Sequence, residues 1–164
     1  NDWNILKKAI EDAVNALVEY RKTEGAALEV KFREKISNIS DLLASVNQHE
    51  SARVSKIKDR IKNALVEHVG ADYDTNRFEQ ELIYYIEKLD INEEKQRLTN
   101  HLDYFIKTIE DEKGQGKKLG FIAQEMGREI NTLGSKSNLA ELQNIVVMMK
   151  DELEQIKEQV LNVM

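Results

Sequence analysis

The hydrophobic positions of this chain recur in steps of three and four residues, the spacing that places side chains on one face of an α-helix. The first stripe continues across Glu24-Gly25, where an extra four-residue step shifts the seam as a stutter does in a coiled coil. One glycine weakens a helix by about 1 kcal/mol, which is too little to end so long a segment. The pattern therefore predicts a single helix over about residues 4–47. Its apolar positions are Leu6, Ile10, Ala13, Leu17, Tyr20, Leu28, Phe32, Ile36, Ile39, Leu43 and Val46.

A second stripe predicts a helix that ends at Gly70, because glycine readily forms the C-terminal cap of a helix. This stripe consists of Val54, Ile57, Ile61, Leu65 and His68. Two long helices in succession predict an antiparallel helical hairpin, so we expect residues 1–70 to form a projecting arm.

The remainder of the chain shows four shorter helical patterns. Asp74 or Thr75 can cap the first of them. The segments Asp90–Glu93 and Asn138–Glu141 have the spacing of capping boxes ahead of the second and the fourth. A glycine-containing loop is predicted at residues 113–116, before the third.

The last helix keeps a strict heptad pattern through Leu142, Val146, Met149, Leu153, Ile156, Val160 and Val163. Such a seam is buried against a long partner, either within the chain or in another copy of it. The predicted fold is therefore all-α. The long antiparallel hairpin arm is followed by a four-helix C-terminal domain over residues 71–164, which ends in this heptad-patterned helix.

Composition excludes several kinds of chemistry. The chain has 164 residues, a net charge of −6 and no cysteine, so it forms no disulfide, thiolate metal site or cysteine nucleophile. Net negative charge argues against nonspecific nucleic-acid binding, so any RNA or DNA binding would be local or shared with another part of the protein. No apolar run approaches the roughly 20 residues that cross a bilayer, so we expect a cytoplasmic protein with no membrane partner. Because the chain begins with Asn1 rather than methionine, we expect it to be a piece of a longer protein.

The first candidate site is the set Glu94, Arg97 and His101, which falls within about 60° of one helix face. A carboxylate and an imidazole at the margin of a core can bind a divalent metal ion or exchange a proton. The alternative is structural: an ion pair between Glu94 and Arg97, with a histidine hydrogen-bonded to a neighbour.

The second candidate lies on the helix that begins near Gly116, whose core stripe is Leu119, Ile122, Met126, Ile130 and Leu133. Glu125 and Glu129 are one turn apart and can share a hard cation through oxygen ligands. They can equally belong to a solvated face on which Arg128 relieves their repulsion. Gly120 and Gly127 lie seven residues apart on one face, where another helix or a ligand can approach closely.

The third candidate is basic and surrounds the glycine loop and the end of the same helix: Lys113, Lys117, Lys118 and Lys136. Lysines and free backbone N–H groups at a helix start suit a phosphate group. The spacing is not that of a nucleotide-binding P-loop, which disfavours nucleotide hydrolysis. A pair of solvated lysines is the alternative.

Three stretches resemble the C-terminal part of the YicC-like family of bacterial proteins. They are DINEEKQRLTNHLDYF, GKKLGFIAQEMGREINTLGSKSN and EQIKEQVLNVM, and the resemblance covers about residues 77–164. EYRKTEGAAL, in the first helix, is similar to the helical region that precedes this domain in the family. The resemblance implies that the β-containing N-terminal domain of the family is absent from this chain. It also implies a metal-dependent endoribonuclease, with RNA as partner and Mn²⁺ or Mg²⁺ as cofactor. A ring-shaped homo-oligomer and partners in RNA degradation are implied as well.

The resemblance and the three candidates together predict the roles of individual residues. The predicted catalytic residues are His101, Glu125 and Glu129. The predicted metal ligands are Glu94, His101, Glu125 and Glu129. The predicted contacts to RNA phosphate are Arg97, Lys117, Lys118, Arg128 and Lys136, and the supporting positions are Glu93, Gln124 and Asn131. Where many relatives read Leu-Asp-Phe, this chain has Leu119-Gly120-Phe121, so it lacks one carboxylate of the family pattern.

A rival hypothesis comes from another functional class. In it the chain is an oligomerisation or interaction module, and the missing domain handles RNA. The net negative charge and the regular heptads favour this hypothesis for the chain taken alone. An adaptor that binds RNA without cutting it is a third possibility.

Overall fold

The computed structural model describes residues 1–70, 74–111 and 115–163 of the chain. Those residues form six α-helices and one short 3₁₀ helix, and they include no strand. The helices are α1 (Asp2–Ser45), the 3₁₀ helix (Val46–His49), α2 (Glu50–Val69), α3 (Thr75–Lys88), α4 (Asn92–Asp111), α5 (Gly116–Lys136) and α6 (Ala140–Val160). The all-α prediction is confirmed. The predicted loop residues Lys113 and Gly114 lie outside the described residues.

Contacts between residues divide the chain into two compact units, Asn1–Glu34 and Lys35–Met164. α1 begins and ends within two residues of its predicted bounds, and Gly25 lies inside the helix without ending it. The arm over residues 1–70 and the domain boundary near Gly70 stay predictions. Within the described ranges, no helix combines the length and the apolar content that crossing a membrane requires.

The first unit carries an exposed apolar stripe. Leu6, Ile10 and Leu17 are 52%, 54% and 52% exposed, and Tyr20 is 61% exposed. Periodicity therefore predicted this part of the helix correctly but did not predict its exposure. Since an apolar helix face is ordinarily buried against another element, the stripe is surface that a partner can cover.

In the second unit, α2 packs against α3. A buried cluster and the side chains packed on it join the two helices: Ile57, Ile61, Phe78, Leu65, Leu82 and Leu89. α2 ends at Gly70, whose φ of 86° is a conformation that suits glycine. α3 begins after Asp74, whose carboxylate accepts a hydrogen bond of 2.9 Å from the Asn76 N–H. Both of these helix ends are as predicted.

The main core lies among α4, α5 and α6. The buried apolar side chains of α4 are Leu98, Leu102 and Phe105, and every predicted core residue of α5 is buried. All heptad positions of α6 are buried except Val163, which is half-buried. The end of α1 reaches α6, where Lys35 and Asn38 contact Glu152 at 3.4 Å and 3.2 Å. The heptad seam is therefore covered from within the chain.

α5 and α6 approach each other closely along a glycine seam, which we define as Gly120, Gly127 and Gly134. The seam faces three α6 side chains at the same seven-residue spacing: Val160, Leu153 and Val146. A Cβ atom added at the three glycines would lie 3.8 Å, 3.3 Å and 3.1 Å from those side chains, in the order given. Of the two explanations predicted for Gly120 and Gly127, close helix packing is the one that the structure supports.

The first predicted capping box is partly formed, and the second is not formed. The Asp90 carboxylate accepts a hydrogen bond from the backbone N–H two residues further on, as a cap does. The Glu93 side chain instead forms an ion pair with Arg97, where a capping box would turn it back toward the backbone. The Asn138 amide donates to the backbone carbonyl of Arg53 in α2 at 3.5 Å, and the N-cap of α6 makes no side-chain hydrogen bond. Asn138 therefore ties the α5–α6 connection to α2 rather than capping α6.

Replacing Gly127 with valine is expected to lower the free energy of unfolding by about 1–3 kcal/mol, because the branched side chain would crowd Leu153. Gly25→Val is the matched control, since nothing lies within 4 Å of a Cβ at Gly25. Chemical denaturation followed by circular dichroism measures both variants. Equal unfolding midpoints would show that the glycine seam does not limit the approach of α5 and α6.

Candidate functional site

Two ionisable pairs join α4 to α5 along one edge of their interface. Glu94 contacts Lys136, and His101 contacts Glu129. Residue numbers rise along α4 as they fall along α5, so the two helices are antiparallel. The two contacts are seven residues apart on each helix, close to two turns, and therefore lie on the same side. We call the edge defined by these four residues the α4–α5 margin.

His101 and Glu129 form the first pair. Nε2 of His101 lies 3.9 Å from Oε1 of Glu129. Glu129 is 4% exposed because it lies between Met126 and Leu133 in the core stripe of α5. The His101 side chain keeps 26% exposure at the edge of the apolar stripe of α4. A partly exposed imidazole facing a carboxylate is a combination that general acid–base catalysis uses.

Glu94 and Lys136 form the second pair. Oε1 of Glu94 accepts a hydrogen bond of 2.8 Å from Nζ of Lys136, which also donates to the backbone carbonyl of Asp90 at 3.0 Å. The other carboxylate oxygen of Glu94 is buried and has no hydrogen-bond partner among the residues that the structure describes. The predicted ion pair between Glu94 and Arg97 is therefore wrong, because the counter-charge comes from the other helix. The ammonium group of Lys136 already contacts the buried Glu94 carboxylate. A phosphate group would have to compete with that carboxylate for Lys136, which was predicted to contact phosphate.

The two arginines predicted to bind phosphate are exposed, and each lies beside a glutamate of its own helix. Arg97 forms an ion pair with Glu93, and Nη2 of Arg128 lies 3.6 Å from Oε1 of Glu125. The arginine side chains are 56% and 70% exposed. Arg128 offsets the charge of Glu125, as expected for the solvated face that is the alternative to the second candidate. The catalytic role of Glu125 stays a prediction.

The other predicted residues of α5 lie on different sides of the helix. Lys117 is exposed, and Nζ of Lys118 lies 5.1 Å from the centroid of the Tyr104 ring on α4. Gln124 is exposed, and Asn131 lines a cavity of about 230 Å³ between α5 and α6. At 100° per residue, Gln124 and Asn131 point more than about 130° away from Glu129. Neither of these two amides belongs to the α4–α5 margin.

The four predicted metal ligands do not gather into one site. Across residues 1–70, 74–111 and 115–163, no group of three or more histidine, aspartate or glutamate side chains is placed to hold a metal ion. Glu94 is held by a lysine and Glu125 is paired with an arginine, so His101 and Glu129 are the two ligands of the set that meet. The predicted set therefore does not fit a single ion.

Tyr104 lies on the α4–α5 margin but is not among the predicted site residues. It follows His101 by three residues and is 45% exposed, so both side chains lie on the same side of α4. A tyrosine one turn beyond a candidate histidine is visible in the sequence. Its contact with Lys118 is not, because that contact depends on how α4 and α5 are rotated against each other.

The chain belongs to a known class of protein. Residues 46–164 match the family model described as "Endoribonuclease YicC-like, C-terminal", and the chain is a member of that family. A protein from Clostridioides difficile named "Probable endoribonuclease YicC" is 33% identical over 163 residues, which cover 98% of this chain and 56% of that protein. A protein of the same name from Haemophilus influenzae is 29% identical over 157 residues, covering 96% of this chain and 54% of its own length. The chain thus spans little more than half the length of these curated relatives, and the resemblance to the YicC-like family is confirmed.

Lys136→Met is expected to lower the free energy of unfolding by about 2–4 kcal/mol, because it leaves the Glu94 carboxylate buried without a counter-charge. Adding Glu94→Leu is expected to recover most of that loss, since two apolar side chains need no charge compensation. Lys22→Met is the control, because its ion pair with Glu19 is exposed and contributes at most about 1 kcal/mol. Urea denaturation compares the three proteins. If Lys136→Met is no less stable than Lys22→Met, the pair does not stabilise the α4–α5 interface.

Proposed function

We propose that this chain is the helical portion of an endoribonuclease that cleaves RNA phosphodiesters, with His101 and Glu129 as its proton-transfer pair. The observation that carries the proposal is the 3.9 Å contact between a partly exposed imidazole and a buried carboxylate. The family and the relatives named probable endoribonuclease support RNA as the substrate. Because the chain spans little more than half of those relatives, the activity is proposed for the full-length protein.

The proposed chemistry is general acid–base catalysis. Cleavage of a phosphodiester requires removal of a proton from the attacking hydroxyl group, which belongs either to water or to the ribose. The oxygen of that hydroxyl group bonds to phosphorus while the His101 imidazole accepts its proton. The P–O bond to the leaving oxygen breaks, the leaving oxygen takes a proton from water, and the imidazolium then releases its proton to solvent. Glu129, whose Oε1 lies 3.9 Å from Nε2 of His101, would stabilise the imidazolium through its charge rather than through a hydrogen bond.

Cations on the exposed side of α4 and α5 would attract the RNA backbone. The Arg97 and Arg128 side chains are 56% and 70% exposed, and Lys117 lies exposed at the start of α5. A guanidinium group can donate two hydrogen bonds to one phosphate, which favours arginine for this role. Each arginine already contacts a glutamate, so a phosphate would have to compete with that glutamate.

No step of this proposal passes through a metal ion. Dependence on Mn²⁺ or Mg²⁺ stays a prediction from the family resemblance. An ion would need ligands beyond the four predicted ones, because Glu94 and Glu125 are engaged elsewhere.

Assembly is a second candidate function, favoured by the exposed stripe of α1. Leu6, Ile10 and Leu17 repeat on one face of the first unit, and each is more than half exposed. We propose that this face joins copies of the protein into a homo-oligomer. The chain would then serve as a scaffold whether or not it also cuts RNA.

His101→Ala and Glu129→Gln are each expected to slow RNA cleavage by the full-length protein about 10²–10⁴-fold, the usual contribution of a general acid or base. His68→Ala and Glu158→Gln are the matched controls, because both residues are exposed and lie outside the α4–α5 margin. Initial rates on a labelled single-stranded RNA are measured in EDTA and in Mn²⁺, with circular dichroism to verify folding. Unchanged rates in both site variants would remove the pair from catalysis. RNA binding without cleavage by the unmodified protein would favour the adaptor.

Leu17→Glu is expected to shift the full-length protein toward smaller assemblies, because a charge at an apolar contact loses its hydration. Asn15→Glu is the matched control, since it adds the same charge about 160° away on the same helix. Light scattering coupled to size-exclusion chromatography gives the mass of each variant. The same mass for Leu17→Glu as for Asn15→Glu would exclude the stripe from the assembly contact.

A further inference from the structure

Farther along the α4–α5 margin, an exposed tyrosine of α4 meets a lysine of α5. Tyr104 is 45% exposed, and the ammonium group of Lys118 lies over its ring at 5.1 Å from the centroid. Phe121 is 60% exposed and lies one turn beyond Lys118 on α5. We refer to Tyr104, Lys118 and Phe121 as the aromatic cluster. The cation–π contact holds the tyrosine ring in place while nearly half of the residue stays accessible.

The aromatic cluster is close to the proton-transfer pair along α4. Tyr104 follows His101 by three residues, which is about 4.5 Å along the helix axis. A nucleotide whose phosphate reaches His101 can therefore place a neighbouring base at Tyr104. Tyr104 is therefore close enough to His101 for both side chains to contact one RNA strand.

Charge alone is a weak basis for RNA binding by this chain. The net charge is −6, and both exposed arginines of the site share their charge with glutamates. Stacking of a base on an aromatic ring needs no net positive charge, and exposed aromatic side chains beside lysines are typical of surfaces that bind single-stranded nucleic acid.

We propose that Tyr104 and Phe121 form a stacking platform for the unpaired bases of single-stranded RNA, with Lys118 placed to offset the charge of an adjacent phosphate. This proposal rests on the function proposed above, which names RNA as the substrate. It adds that the bound RNA is single-stranded. In a duplex the faces of the bases are covered by their neighbours, so a duplex cannot use the platform. The site therefore selects unpaired RNA.

The test measures binding of a fluorescently labelled oligouridine to the full-length protein by anisotropy. Tyr104→Leu is expected to weaken binding about 5- to 100-fold, the fold-change that corresponds to loss of one base stack. Tyr104→Trp is expected to retain binding, because it keeps a stacking ring. Phe121→Ala is also expected to weaken binding. Because the Phe121 side chain is 60% exposed, its removal leaves the core packing intact. A blunt duplex RNA is expected to bind more weakly, with an affinity that Tyr104→Leu does not change.

Tyr84→Leu is the matched control. Tyr84 is 57% exposed and has Nζ of Lys88 at 5.9 Å from its ring centroid, but it lies on α3. Unchanged oligouridine binding by Tyr104→Leu, or equal weakening by Tyr84→Leu, would overturn the platform and leave the proposed nuclease intact. Absence of both RNA binding and cleavage in the unmodified protein would overturn the nuclease proposal and the platform with it.

Discussion

The close approach of α5 to α6 is the constraint on which the rest of the structure depends. Because Gly120, Gly127 and Gly134 carry no side chain, the backbone of α5 can lie against the valine and leucine side chains of α6. This contact sets the rotation of α5 about its own axis. At 100° per residue, Glu129 then points about 160° away from Gly127, on the side that meets α4. The glycines of α5 therefore lie on the face that packs against α6. The nearly opposite face carries Glu129 and Lys136, which contact α4.

The two pairs across α4 and α5 differ in what they can do. Glu94 and Lys136 form a short contact between a carboxylate and an ammonium group, and burial of the carboxylate makes that counter-charge necessary. His101 and Glu129 lie farther apart, and the imidazole is charged only when protonated. The first pair can therefore serve as a constant contact that fixes the register of the helices. The second pair lies two turns away, with its imidazole partly exposed. A stable register is what allows an exchangeable group to keep its position at a reaction site.

Local rules predicted the helices and much of the core, and they did not predict the pairing between helices. The stripe of α5, the heptads of α6 and the helix ends at Gly70 and Asp74 depend on neighbouring residues, so periodicity and capping preferences were sufficient. The partner of Glu94 lies 42 residues away in the chain, and the nearby Arg97 was the natural local choice. Periodicity also identifies an apolar face without identifying what covers it, which is why the first unit was predicted as a helix but not as an exposed one. The predicted metal set failed to gather for the same reason, because spacing places Glu125 and Glu129 one turn apart yet only Glu129 points toward His101.

The distribution of charge along the margin bears on how such a protein would hold RNA. Lys136 serves a buried carboxylate, and each of the two exposed arginines has a glutamate within its own helix. The margin therefore has many cations but little net positive potential, in keeping with the acidic chain as a whole. Attraction from cations that are locally cancelled is weak, releases few counterions and gives little preference for duplex, whose charge density is the higher. If the protein binds RNA as proposed, affinity at such a surface would come from contacts that do not depend on net charge, and the proposed platform of Tyr104 and Phe121 would supply them. A shortage of positive charge counts against a general nucleic-acid binder, but it is compatible with the proposed contact to a short unpaired segment at one place.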